Sequence, residues 1–141
     1  MKFLIIEDDN ITSMVLQELL NEFGESDLAE DGLIGLELLE NKLNNNENYD
    51  VVYLDIMLPQ RSGQEILTDI RTLDQKYNKT GMNQTKVIMS TALDDYNNIK
   101  TAFNNSCEAY IVKPFDKDKI TKALIDLELI YNFDEDEDDG D

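Results

Sequence analysis

Five polar side chains in this sequence follow short apolar runs, and together they have the chemistry needed to handle a phosphoryl group. They are Glu7, Asp8, Asp55, Thr91 and Lys113. Clustered carboxylates resist joint ionisation unless a cation compensates them, and a few carboxylates with water suit octahedral Mg²⁺, for which Mn²⁺ can substitute. An ammonium and a hydroxyl can bind the remaining phosphoryl oxygens. Asp55 is then the candidate nucleophile, because a carboxylate attacks phosphorus once a metal offsets the charge.

Each of these residues also has an ordinary structural explanation when it is considered alone. Asp55 can simply end a strand, Thr91 can cap a helix, and Lys113 can be a solvated strand end. The chemical interpretation therefore depends on whether the fold brings the residues together.

The elements that must position these residues alternate between strands and helices. Short apolar runs predict buried strands at residues 2–6, 26–29, 51–55, 87–89 and 109–113. Apolar residues at helical spacing predict the intervening helices. The first helix has a face of Ile11, Val15 and Leu19, with Leu16, Leu20 and Phe23 beside them. The later stripes are Leu33, Leu36, Leu39 and Leu43; Ile66, Ile70 and Leu73; Ile99, Ala102 and Phe103; and Ile120, Leu124, Leu127 and Tyr131.

Local signals mark where several of these helices begin and end. Asn10 is the expected N-cap of the first helix, and Ser62 with Glu65 forms a capping box for the third. Residues 74–86 are polar and predict a long loop. Strands separated by helices imply a parallel sheet built through right-handed crossovers. Because parallel strands end at the same edge of a sheet, the five candidate residues are expected to meet there.

Composition excludes several classes of function. The 141 residues carry a net charge of −19 and include no histidine and one cysteine, Cys107. Histidine-based catalysis and intrachain disulfides are therefore excluded, direct nucleic-acid binding is disfavoured, and Cys107 is expected to be buried. No segment resembles a signal peptide or a membrane span, so we expect a cytoplasmic protein. Seven acids in residues 134–141 set an acidic tail, 132–141, apart from one domain, 1–131.

Four motifs in chain order carry a family resemblance. They are Glu7-Asp8, Asp55 followed by Pro59 and Gly63, Ser90-Thr91-Ala92, and the run from Tyr110 to Phe115. Over residues 2–131 the chain resembles the receiver domain of two-component response regulators, in particular single-domain members of the chemotaxis-regulator type. The resemblance implies a doubly wound (βα)5 flavodoxin-like α/β fold with a five-stranded parallel sheet in the order 2-1-3-4-5.

The resemblance also implies a role for each matching residue. Asp55 would accept a phosphoryl group from a histidine kinase or a His-phosphotransfer protein, so the chain would be a phosphoacceptor and not an enzyme acting on other substrates. Thr91 and Lys113 would bind the phosphoryl oxygens, and small Ala92 would leave them accessible. Mg²⁺ would be bound by Glu7, Asp8, Asp55 and the backbone carbonyl of Met57. A switch would be formed by Thr91 and Tyr110. The Lys113-Pro114 bond would be cis.

Two positions are expected to influence how long phosphorylation lasts. In receivers the residues two after the phosphoacceptor and two after the threonine flank the phosphoryl group, and here they are Met57 and Leu93. Neither side chain can hydrogen-bond an attacking water, which predicts slow hydrolysis.

The sequence predicts that the signal is passed on by contact with another protein. After the last predicted helix only the acidic tail follows, so we expect signalling by a stand-alone regulator through the face formed by the fourth helix, the fifth strand and the last helix. Binding of DNA or membranes is not expected, and the chain would be a monomer or a weak homodimer. The alternative is an interaction module with a receiver fold that is regulated independently of phosphorylation. A phosphatase with a second catalytic aspartate is disfavoured by Met57, and a flavin carrier by acidic residues 7–9.

Overall fold

A five-stranded parallel sheet carries the candidate residues in the computed structural model, which describes residues 1–92 and 107–131. The strands are β1 (Lys2–Ile6), β2 (Glu25–Ala29), β3 (Val51–Asp55), β4 (Val87–Thr91) and β5 (Ala109–Val112). Their order is β2-β1-β3-β4-β5, and every neighbouring pair is parallel. All positions of β3 and β4 are buried, as expected for strands covered on both faces. The predicted fold class and strand order are confirmed.

Helices cover both faces of this sheet. They are α1 (Asn10–Leu20), α2 (Gly32–Asn44), α3 (Gly63–Lys76), a 3₁₀ helix (Gly81–Asn83) and the C-terminal helix (Lys117–Asp126). One core packs α2 and α3 against the sheet, and the other packs α1 and the C-terminal helix. None of the described helices is long and apolar enough to cross a membrane. The helix predicted around Ile99, Ala102 and Phe103 lies outside the described residues.

The strand register determines which residues meet at the carboxyl edge of the sheet. Asp55 pairs with Ser90, so Thr91 lies one residue beyond it on the neighbouring strand. Thr91 in turn pairs with Val112, which places Lys113 directly after the last pair. Parallel pairing therefore brings the predicted residues to a single edge.

The inward face of α1 matches the predicted one only in part. Ile11 and Val15 were expected to be buried, but they are 74% and 44% exposed. The predicted burial of Leu16 and Leu20 is confirmed, and Ser13 completes the buried row. Asp9, not Asn10, caps the helix by accepting the Ile11 N–H. Small Ser13 lies where α1 passes the end of β1, and its Oγ is 3.4 Å from the carbonyl oxygen of Glu7. Because α1 approaches β1 through its Ser13 face, the row that contains Ile11 and Val15 faces solvent.

The buried face of α2 also includes residues that the apolar pattern did not indicate. Leu33 is exposed, whereas Gly32 and Gly35 are buried. A Cβ atom at Gly32 would overlap the side chain of Ile66, and one at Gly35 would overlap Ile6. The helix therefore packs through glycines because it lies so close to its neighbours, and Leu33 is left outside the core.

Two helix ends differ from the predictions. The segment 74–86 is not one long loop, because α3 continues to Lys76 and the 3₁₀ helix follows. Asp74 is buried and accepts the Thr85 hydroxyl at 2.6 Å, so a polar residue belongs to the packed end of α3. The C-terminal helix ends at Asp126, and Tyr131, predicted on its buried stripe, is 76% exposed. The Ser62–Glu65 capping box and the burial of Cys107 are confirmed.

Candidate functional site

Three carboxylates lie together at the carboxyl edge of the sheet. Glu7 and Asp8 follow β1, Asp55 ends β3, and one oxygen from each residue lies within 4.8 Å of the others. Glu7 and Asp55 are each 4% exposed, whereas Asp8 is exposed to solvent. Hard oxygen donors with one open side are a suitable arrangement for a divalent cation that keeps part of its water shell. The donor set therefore fits Mg²⁺.

Lys113 places a positive charge between two of these carboxylates. Its Nζ forms a short ion pair with Glu7 Oε1 and lies 3.4 Å from Asp55 Oδ2. Burial raises the pKa of the Glu7 carboxyl to about 7; Lys113 opposes that rise, and Asp55 adds to it. Burial alone would lower the pKa of Lys113, but Glu7 and Asp55 together hold it above its usual 10.5. Excess negative charge is thus concentrated where a metal ion would relieve it.

Backbone contacts hold Asp55 in position. Its Oδ1 accepts the Met57 N–H at 3.0 Å, while the Ile56 N–H donates to the Ser90 carbonyl at 2.9 Å. The Gly63 N–H donates back to the Ile56 carbonyl at 2.9 Å. A Cβ atom at Gly63 would overlap the carbonyl oxygen of Asp55, so α3 can begin this close to β3 only with glycine there.

The other predicted residues lie beside this cluster. Thr91 is buried at the end of β4, and its carbonyl accepts the Lys113 N–H at 2.7 Å. Ala92 is exposed, and the Tyr110 side chain on β5 is 40% exposed. The Lys113-Pro114 bond is cis, as the resemblance implied. Leu93 lies outside the described residues.

Comparison with protein families identifies the fold. The family model of the response regulator receiver domain matches residues 3–125. The chain belongs to this family. Receiver domains bind Mg²⁺ at an acidic pocket and interact with histidine kinases and downstream targets, and this chain has an acidic cluster formed by Glu7, Asp8 and Asp55.

Its relatives include both transcriptional regulators and chemotaxis proteins. The chain is 35% identical over 117 residues to the transcriptional activator protein IrlR of Burkholderia pseudomallei, covering 82% of this chain and 45% of that protein. It is 36% identical over 125 residues to the regulatory protein DltR of Streptococcus agalactiae, covering 88% and 50%. With the chemotaxis protein CheY of Halobacterium salinarum it shares 28% identity over 125 residues, covering 88% and 93%. The chain thus spans about half the length of the first two relatives.

A solved structure supports the same assignment. CheY from Borrelia burgdorferi, in a complex described as CheX-CheY-BeF3-Mg²⁺, superposes with a TM-score of 0.77 at 26% identity, covering 92% of this chain and 90% of that one. The receiver fold is therefore shared with proteins that are close to this chain in length.

Sequence reasoning found the members of the site but missed two of its contacts. It assigned Glu7 to the metal and Lys113 to the phosphoryl group, and it did not foresee their direct ion pair. It also included Gly63 as part of a motif without its packing reason. The ion pair joins residues 106 positions apart, for which no local pattern exists. For Gly63, a glycine directly after the Ser62 cap is the available signal, because it marks a close backbone approach.

Proposed function

We propose that this receiver accepts a phosphoryl group on Asp55 from a phosphohistidine of a histidine kinase or a His-phosphotransfer protein. The observation that carries the proposal is the packing of Asp55 with Glu7 and Asp8, and with Lys113, whose ammonium contacts both Glu7 and Asp55. A strand-terminating aspartate without function would not need two further carboxylates and a half-buried ammonium beside it, because such clustering is costly.

The transfer requires little covalent machinery from the protein. A carboxylate oxygen of Asp55 attacks phosphorus, the P–N bond of the donor breaks, and the imidazole leaves with the bonding electron pair. Glu7, Asp8, Asp55 and the Met57 carbonyl are the proposed metal ligands. A Mg²⁺ ion bound there would supply positive charge that offsets the phosphoryl oxygens.

Lys113 and Thr91 are proposed to bind the transferred group. Lys113 lies 3.4 Å from Asp55, so its ammonium can contact a phosphoryl oxygen on that carboxylate with only a small movement. Thr91 is the residue proposed to move first when Asp55 is phosphorylated, since it ends the strand beside Asp55. Exposed Ala92 leaves the approach to the acceptor open.

We propose that the signal leaves through Tyr110 and the surface around it. Tyr110 lies on β5, and the C-terminal helix lines a groove beside that strand. A partly exposed ring has room to move inward when Thr91 shifts, which would change the surface that another protein contacts. Protein contact, and not binding of DNA, is the proposed output, given the net charge of −19.

The proposed phosphoryl group would be long-lived. Met57 follows the acceptor by two positions, and its side chain is 68% exposed and apolar. It cannot orient a water molecule for attack. Met57→Asn is expected to accelerate loss of the phosphoryl group, measured by intact mass over time after removal of the donor. An unchanged rate in both Met57→Asn and Leu93→Glu would contradict this.

Direct chemical phosphorylation tests the central proposal. Incubation with Mg²⁺ and acetyl phosphate should add one phosphoryl mass, recorded quickly at neutral pH because acyl phosphates hydrolyse. Asp55→Asn should lose the added mass, while Asp126→Asn, which removes an exposed helix carboxylate paired with Lys122, should keep it. If the wild-type protein gained no phosphoryl group, a receiver-fold module regulated without phosphorylation would be favoured instead.

Metal binding is tested separately through stability. A ligand at a hundred times its Kd stabilises the folded state by about 2.7 kcal/mol. Mg²⁺ should therefore raise the unfolding midpoint of the wild-type chain, and Asp8→Asn should lose most of that gain. Glu30→Gln, at an exposed position next to the end of β2, is the matched control and should keep it. Equal Mg²⁺ responses in both variants would argue against Asp8 as a ligand.

A further inference from the structure

Two lysines stand apart from the other basic residues in the described part of the chain. Most of those basic residues are paired with a carboxylate, as Lys42 is with Glu47 and Lys76 is with Glu40. Within residues 1–92 and 107–131, three ammonium groups take part in no ion pair, those of Lys79, Lys86 and Lys119. The Lys119 ammonium instead donates to the carbonyls of Val112 and Pro114 at 3.0 Å, which leaves Lys79 and Lys86 as the two that stand apart. In a chain of net charge −19, two unpaired lysines are an unusual local feature.

Both lysines line one groove at the amino edge of the sheet, which we call the basal groove. It has a volume of about 210 Å³, and its walls include Leu43, Asn48, Lys79, Asn83, Lys86 and Leu129. Lys86 directly precedes β4, and Asp50, also in the wall, directly precedes β3, so the groove lies at the edge opposite Asp55. The Asp50 carboxylate already accepts the backbone N–H of Lys2 at 2.7 Å. The groove therefore offers two ammonium groups and side-chain amides to an anionic occupant.

The chain itself supplies an anionic segment next to this groove. Leu129 lines the groove, and the acid run begins at Asp134, only five residues later. Five extended residues span about 17 Å, so the first acids can reach the lysines without any rearrangement of the sheet. Seven of the last eight residues are acidic. Met82 lines the groove and is 95% exposed, so it offers an apolar surface beside the lysines.

We propose that the acidic tail, residues 132–141, binds in cis to the basal groove, with its carboxylates paired to Lys79 and Lys86. Single exposed ion pairs are weak, but tethering gives the tail a high effective concentration, and several carboxylates can exchange over the same two ammonium groups. The lysines of the C-terminal helix compete poorly, because Lys117 and Lys122 already pair with Glu22 and Asp126. The third, Lys119, already donates to two backbone carbonyls at 3.0 Å.

This arrangement has a functional consequence that does not depend on phosphorylation. The tail would lie at the edge of the sheet away from Asp55 and leave the phosphoacceptor accessible. A basic partner would have to displace the tail from Lys79 and Lys86, and a partner that binds the groove would release the tail.

Zero-length coupling with a carbodiimide tests the contact in the full chain. The reagent joins a carboxylate and an ammonium into an amide with loss of water, and peptide mapping locates the bond. At low salt, amides from residues 134–141 to Lys79 or Lys86 should exceed those to Lys117, Lys119 or Lys122 severalfold. In about 1 M NaCl, where the screening length falls to about 3 Å, they should drop severalfold. Predominant coupling to other lysines, coupling between labelled and unlabelled chains, or no tail coupling would overturn the proposal.

Proteolysis of the tail provides a readout that does not consume the lysines. A glutamate-specific protease should cut the tail severalfold faster in Lys79→Gln/Lys86→Gln than in wild type. Lys79→Arg/Lys86→Arg keeps both charges and should stay protected, and Lys117→Gln/Lys122→Gln should match wild type. Equal cleavage rates in all four proteins would overturn the proposal.

Discussion

Asp55 shows that the geometry of this site depends on backbone contacts as much as on charge. One carboxylate oxygen is held by the Met57 amide and the other faces Lys113. The turn that presents Met57 is in turn held by Gly63, whose N–H donates to the Ile56 carbonyl. Changing Gly63 would therefore move Asp55 without touching any charged group.

Gly63→Ala is expected to destabilise the fold by about 2 kcal/mol or more, because the new methyl group would overlap the Asp55 carbonyl in a packed region. Gly81→Ala is the control. No atom lies within 4 Å of a Cβ placed there, so only its backbone φ of +61° is unfavourable, at a cost of about 1 kcal/mol. Urea unfolding of both variants measures the difference. Equal losses of stability would contradict the packing argument.

Cys107 is expected to be unreactive in the native protein. Burial, assisted by the negative charge of Glu108, raises the pKa of its thiol from 9.0 to about 11. Because the thiolate is the reactive form, at pH 8 its population falls about a hundredfold relative to an unshifted thiol. A thiol reagent at pH 8 should label the native chain at least that much more slowly than the chain in denaturant. Rapid labelling of the folded protein would contradict the buried position.

Among the secondary-structure elements, α3 is connected to its neighbours through Arg71. Its guanidinium contacts Asp74 at 3.1 Å, the Thr85 carbonyl at 2.6 Å and Glu108 at 2.8 Å. Glu108 also accepts the Val87 N–H at 2.7 Å. These bonds connect α3, the segment after it, and the starts of β4 and β5. The polar end of α3 is therefore held to the starts of β4 and β5 by hydrogen bonds and ion pairs.

Arg71→Met should cost about 3–5 kcal/mol of unfolding free energy, because it leaves the buried Asp74 and the half-buried Glu108 without their cation. Arg61→Met removes a more exposed arginine from the same helix region, 41% exposed, and should cost at most about 1 kcal/mol. Chemical denaturation of both variants tests this contrast. Similar losses of unfolding free energy in the two variants would show that the Arg71 contacts do not stabilise the fold in this way.

For the whole molecule, the dominant electrostatic feature is repulsion among its acids. The net charge is −19, and it remains −12 without the seven acids of residues 134–141. A charge of this size destabilises the compact state by self-repulsion, and added salt screens it. Salt should therefore affect stability in the direction opposite to that expected for a protein held by surface ion pairs.

Raising NaCl from about 10 mM to about 200 mM is expected to increase the thermal unfolding midpoint by a few degrees, as the screening length shortens from about 30 Å toward 8 Å. A full-length variant with the tail acids replaced by amides should show a smaller increase. Thermal unfolding followed by circular dichroism measures both. A midpoint that is flat or falls with salt would show that self-repulsion does not limit stability.

The sequence alone determined the strands, their parallel arrangement and the edge at which the site lies. Buried parallel strands read as continuous apolar runs, and the polar residue after each run, such as Glu7, Asp55 or Lys113, is visible without any contact information. Helix faces were less certain, since apolar residues such as Ile11 and Leu33 also occur on the solvent side and glycines carry no apolar signal.

Only the tertiary structure decided which of these residues touch. Three examples join positions whose separation along the chain does not predict their distance in space. They are the ion pair of Lys113 with Glu7, the ion pair of Arg71 with Glu108, and the groove that contains both Lys79 and Lys86. Local patterns report secondary structure and burial because these depend on neighbouring residues. Ion pairs and grooves depend on how close the elements pack, and a residue such as Gly63 or Gly35 sets that distance through the absence of a side chain.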